Sequence, residues 1–100
     1  MTVEFLVPAQ DEFEAAFDWY QARSISASEG FRSRVTAAIE SALSHPTSAG
    51  FLVGRRVRKI LLEPYNYGLF YFFHDRVLYV VAVGHNRRRP GYWRRRIARS

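Results

Sequence analysis

Cysteine is missing from this 100-residue chain. That excludes a disulfide framework, a cysteine-based zinc site and a thiol nucleophile. The three histidines, His45, His74 and His85, lack the local spacing of a metal cluster, so no metal and no cofactor is expected. Long apolar runs are scarce too. The longest, in VLYVVAV, falls far short of the roughly 20 residues that cross a bilayer. No basic stretch followed by a long apolar one opens the sequence, so it does not read as carrying a secretory signal. The expectation is a soluble cytoplasmic protein without a membrane partner. Acidic residues are few in the second half: residues 51–100 hold two, against twelve basic residues, net +10. Residues 1–50 hold seven acids and three arginines, net −4, and the halves sum to the overall +6.

What is present is a core. Apolar residues make up 48% of the chain and aromatics 16%. Such a composition folds rather than staying disordered, and the length suits a single domain over residues 1–100. The charge imbalance gives the folded molecule a basic face that attracts phosphates or an acidic protein segment, or that serves solubility alone. Seven of the fifteen Lys and Arg fall in the last stretch, VGHNRRRPGYWRRRIARS.

Residues 2–7 read as a short strand ended by Pro8. Residues 9 to about 24 read as a helix, with Asp11, Glu12 and Glu14 in the turns where the dipole favours anions. Phe13, Ala16, Phe17 and Tyr20 form its apolar stripe, with Trp19 at the edge. Ser26-Ala27-Ser28-Glu29 has the form of a capping box, which predicts a second helix over about 28–44. Its stripe is Phe31, Val35, Ala38, Ile39 and Ala42, and His45-Pro46 stops it. Residues 47–54 read as a loop with Phe51 and Val53 against the core. Strands follow at 55–63, 65–73 and 76–84, with Pro64 and a His74-Asp75 turn between them. The last is the most apolar and should be internal. The fold class is therefore α+β: a small antiparallel sheet packed against an αα-hairpin, in the order β-α-α-β-β-β, with a short C-terminal segment.

Trp19-Tyr20 with Arg23, the helix ending at His45-Pro46, Glu63-Pro64-Tyr65 through Tyr71, and Ala82-Val83-Gly84-His85 followed by arginines, Pro90 and Trp93 stand in this order along the chain. Together they resemble the RelE/ParE superfamily of bacterial toxins, the toxic half of type II toxin–antitoxin modules. The resemblance covers nearly the whole chain. It implies a compact sheet with a helical hairpin, and a cognate antitoxin whose acidic C-terminal segment wraps the toxin in a hetero-oligomer. It also implies one of two targets: RelE-like members cleave messenger RNA on the ribosome without a metal, and ParE-like members poison DNA gyrase.

Metal-free RNA cleavage needs a base, an acid and cations on the phosphate. If the chain is a ribonuclease, the catalytic candidates are His85, Arg87, Arg88 and Tyr92. An imidazole with an ordinary pKa of about 6.5 suits acid–base work, whereas a phenol near 10 is a poor base. Candidates for contact with target or antitoxin are Arg56, Arg58, Lys59, Arg87, Arg88, Arg94, Arg95 and Arg96. One departure weighs against the enzyme. RNA-cleaving relatives carry an arginine just before the Leu-x-Tyr of the middle strand, and here Gly68 precedes Leu69-Phe70-Tyr71. The reading therefore leans to ParE-like gyrase poisoning, with RelE-like cleavage as the alternative and a non-toxic nucleic-acid-binding domain as the third. Whether the chain is an enzyme stays open. Trp93 is expected to pin the terminal segment, and Arg94, Arg95 and Arg96 to form a solvated face.

Overall fold

The computed structural model describes residues 1–97. Strand β1 (Thr2–Phe5) leads into helices α1 (Val7–Gln21) and α2 (Ile25–Ser44). Strands β2 (Phe51–Leu52), β3 (Arg58–Leu61), β4 (Tyr67–His74) and β5 (Val77–His85) follow, and a single 3-10 turn spans Arg94–Arg96. The sheet order is β1-β5-β4-β3-β2. The α+β class and the helical hairpin stand as expected. One edge does not follow the antiparallel expectation: β1 runs parallel to β5, with Thr2 opposite Val77 and Phe5 opposite Val80. The helical hairpin carries the chain from β1 to the far edge of the sheet, and β2 to β4 bring it back to β5, the long connection that a parallel pair requires.

Helix α1 starts earlier than the sequence suggested. Pro8 sits inside its first turn, where a missing N–H costs nothing. Asp11, Glu12 and Glu14 consequently lie beyond the first turn and do not serve the dipole there. The helix also ends at Gln21, so Arg23 falls in the connection; its guanidinium lies 3.5 Å from the centre of the Trp19 ring. Helix α2 is capped by Ser24, whose hydroxyl accepts from the Ala27 N–H at 3.1 Å. The capping-box reading at Ser26 is thereby corrected, since Ser28 is buried inside the helix and bonds back to the Ile25 carbonyl.

The long strand expected at 55–63 is a hairpin instead. Phe51–Leu52 and Arg58–Leu61 pair across a reversal closed by Val53 N–H to the Val57 carbonyl at 2.9 Å. Phe51 and Leu52 are 52% and 55% exposed, so Phe51 does not pack on the core. The β4–β5 turn is made by Asp75 and Arg76, both at positive φ (48° and 64°), rather than by His74-Asp75.

Two cores flank the sheet. On one face Leu69, Tyr71, Leu78, Val80 and Val83 meet Ala16, Phe31, Val35, Ala38 and Ala42 of the helices. On the other, Val57, Phe70, Phe72, Val81 and Ala82 meet Trp93 and Ile97. Burial on both faces explains why β4 and β5 read as continuous apolar runs. A register shift opposite Phe70 and Tyr71 leaves Val81 as an extra residue in β5. This bulge lets Val81 and Ala82 face the same side in succession.

Candidate functional site

Glu12 organises the surroundings of the C-terminal segment. Pairing between β1 and β5 stops at Val80, where the Leu6 N–H reaches the Val80 carbonyl at 3.0 Å. Past that point side chains take the backbone groups of β5. Glu12 Oε1 accepts from the Val83 N–H at 2.9 Å, and Arg96 Nη1 donates to the Val81 carbonyl at 3.1 Å. The two side chains join in a fork: Arg96 Nη1 to Glu12 Oε1 at 2.7 Å and Nη2 to Oε2 at 2.9 Å. Tyr92 Oη donates to Glu12 Oε2 at 2.8 Å, and Arg88 Nη1 stands 3.9 Å from the same oxygen. The side chains of Glu12 and Arg96 are only 16% and 17% exposed.

The electrostatics follow from these contacts. Burial alone would raise the Glu12 pKa, but hydrogen bonds from Arg96, Val83 and Tyr92, with the Arg96 charge, outweigh it and hold it below the ordinary value of 4.5. Burial, and then Glu12 as acceptor and as a charge, push the Tyr92 phenol far above its usual range. Arg88 and Arg96 lie over the Tyr92 ring at 4.0 and 5.0 Å from its centre.

Beside this cluster a cleft of about 500 Å³ opens between α1 and the ends of β4 and β5. Ala15, Ala16, Trp19, Tyr20, Tyr67 and Val83 make it mainly apolar, and Glu12, His85 and Arg88 stand on its rim. Trp19 is 53% exposed there. Tyr20, Phe31, Tyr65 and Tyr67 pack in edge and tilted contacts behind it, with centroids 5.1 to 6.4 Å apart.

The sequence candidates divide. His85, Arg88 and Tyr92 come together, all lining a pocket of about 200 Å³ on the opposite sheet face. His85 Nδ1 accepts from the Arg87 N–H at 3.1 Å, and its ring meets Tyr67 edge-on at 5.1 Å. The neutral imidazole therefore carries its proton on Nε2. Arg58 donates to the Gly50 carbonyl at 2.9 Å. Arg56 and Lys59 lie over the rings of Phe72 and Phe70, at 4.4 and 5.1 Å. The stem of Lys59 crosses Gly68, where an added Cβ would meet its Cε at 2.4 Å. The reading of Arg94, Arg95 and Arg96 as one solvated face fails at Arg96, which turns inward to Glu12; Arg94 and Arg95 are exposed. Trp93 is 2% exposed and pins the segment as expected. Sequence reasoning missed Glu12 and Tyr67 as parts of this site. A buried carboxylate amid polar neighbours on a helix leaves no local signal. Among the described residues no helix is long and apolar enough to cross a membrane.

Comparison with known proteins agrees with this architecture. No curated protein matches the sequence. Seven chains of solved structures match. One, from the chromosomal ParDE toxin–antitoxin system of P. aeruginosa, has a TM-score of 0.63 at 14% identity, covering 85% of this chain and 95% of that one. At that identity the likeness is one of fold. The family described as ParE toxin of type II toxin-antitoxin system, parDE, matches residues 3–90, a range that stops short of Tyr92, Trp93 and Arg96. With the helical hairpin, the sheet and most of the sequence inside that match, the chain belongs to the ParE toxin family of type II toxin–antitoxin systems.

Proposed function

We propose that this toxin arrests growth by poisoning DNA gyrase. We further propose that its antitoxin silences it by laying an amphipathic acidic segment in the cleft beside Trp19. The state of Tyr92 carries the first reading. Its hydroxyl is bonded to Glu12, its pKa is raised, and guanidinium groups cover its ring. A phenol so engaged neither stacks on a base nor exchanges a proton near neutral pH. His85 Nδ1 is likewise engaged, leaving Nε2 as a donor. Gly68 stands where RNA-cleaving relatives carry an arginine, although the Lys59 side chain crosses it. For the antitoxin, the apolar floor of the cleft suits a helix face or strand, and Arg88 on its rim suits a carboxylate. Arg56, Lys59, Arg87, Arg88, Arg94 and Arg95 remain the candidates for contact with target or antitoxin. Arg58 and Arg96 are committed to internal partners.

The RelE-like alternative keeps one observation, the convergence of Lys59, His85, Arg88 and Tyr92 on a common pocket. One pair of assays separates the two. Purified toxin is added to gyrase acting on plasmid DNA, and to ribosomes translating a defined message. Accumulation of gyrase-linked broken DNA with intact message supports the gyrase reading. Cleavage of message within codons, with gyrase unaffected, overturns it. Tyr92→Phe sharpens the contrast. On the gyrase reading it loses only a structural hydrogen bond, so growth arrest persists. On the ribonuclease reading arrest falls by at least about 100-fold in rate.

A further inference from the structure

The turn after β5 concentrates positive charge in one open groove of about 780 Å³. Arg87, Arg88, Arg89, Arg94 and Arg95 line it, and no acidic residue does. The backbone beneath is ordered by hydrogen bonds. Arg88 N–H bonds to the His85 carbonyl at 2.9 Å, Tyr92 N–H to Arg89 at 3.1 Å and Arg94 N–H to Gly91 at 3.0 Å. Gly91 at φ +77° makes the reversal, and Trp93 anchors it in the second core. The arginines are thus displayed on a fixed frame. Glu12 holds Arg96 and Tyr92 and stands 3.9 Å from Arg88 Nη1. Arg87, Arg89 and Arg95 are exposed and form no ion pair among the described residues. Like charges gathered this closely, three of them without an ion pair among the described residues, favour a polyanion.

The aromatics narrow the class of polyanion. Single strands are usually held by bases stacked on aromatic platforms. Here Trp93 is buried and the Tyr92 ring is covered by Arg88 and Arg96. Binding through backbone phosphates needs no such platform. An acidic peptide gains most from apolar anchors, and neither of the exposed aromatics Trp19 and Phe51 lines this groove. We propose that the turn from Arg87 to Arg95 binds the phosphate backbone of duplex DNA without reading its sequence. The inference does not require gyrase as the target, but it would give a gyrase poison a direct hold on the DNA that gyrase grips.

The test is fluorescence anisotropy of the full chain, free of antitoxin, with a labelled random-sequence duplex at several salt concentrations. The triple variant Arg87→Gln, Arg89→Gln, Arg95→Gln is compared with the parent, and thermal unfolding shows that both are folded. The expected result is binding that weakens steeply with salt, with the log–log salt slope reduced by roughly three in the variant. An unchanged slope in a folded variant overturns the proposal, as does tighter binding to a single strand of the same sequence. So does a variant that loses affinity for a poly-glutamate peptide but keeps the duplex. Duplex binding by a toxin that leaves gyrase untouched removes the target reading and upholds this one.

Discussion

Glu12 shows how much one side chain can organise. It accepts from a strand N–H, a phenol and both arms of a guanidinium. Its folded pKa lies below its ordinary value, so the stability it contributes is present above about pH 4.5 and is lost as pH falls through the folded pKa. Glu12→Gln leaves Arg96 facing a neutral amide in a largely buried position. Urea denaturation at pH 7 should show a loss of about 2–3 kcal/mol, because removing one partner strands the other. At pH 3 the gap between variant and parent should shrink, since below the ordinary value of 4.5 the unfolded parent takes up a proton that the folded carboxylate resists. A gap of equal size at both pH values would mean that packing, not charge, is what Glu12 supplies. None of this was visible in the sequence, where Glu12 is one of three acids near the start of a helix. Its partners lie 71 to 84 residues away, and spacing cannot report so distant a pair.

At the scale of elements the sequence was more informative, and its errors have physical causes. Helices α1 and α2 were legible because their stripes repeat at helical spacing. Phe31, Val35, Ala38 and Ala42 are all buried. The start of α1 was misjudged because Pro8 fits the first turn of a helix as well as the end of a strand, and that of α2 because Ser24 and Ser26 are both acceptable caps. β4 and β5 were legible as strands, but the bulge at Val81 was not, since an all-apolar run hides which side each residue faces. The β2–β3 hairpin was missed because its first strand has two residues, below the length at which alternation registers. The Asp75-Arg76 turn yields a prediction of its own. Positive φ at both central residues is the pattern served best by Asn-Gly, and a bulky arginine there is strained. Asp75→Asn with Arg76→Gly should raise stability by about 1 kcal/mol, read from the urea midpoint. A lower midpoint would mean that the Arg76 side chain makes a compensating contact.

The whole molecule is a sheet clothed differently on its two faces, by helices on one and by the C-terminal segment on the other. That segment is therefore structural as well as basic. Trp93→Ala should cost about 3–5 kcal/mol. By calorimetry the unfolding midpoint should fall by roughly 10 °C or more. A fall of only a degree or two would show that the second core holds without its indole. The separation of charge along the chain also acquires a location, because Glu12 and Arg96 are where the acidic and basic halves meet. The parallel pairing of β1 with β5 has a consequence for how the protein comes into being. Synthesis delivers β1 and both helices first, yet β1 meets its strand partner only when residues 77–80 have been made, and Glu12 meets Arg96 later still. Domains that depend on such distant contacts fold slowly. The sheet therefore stays incomplete on the ribosome until residues 77–80 have been made, and the Glu12–Arg96 link closes only after the arginine-rich segment has emerged.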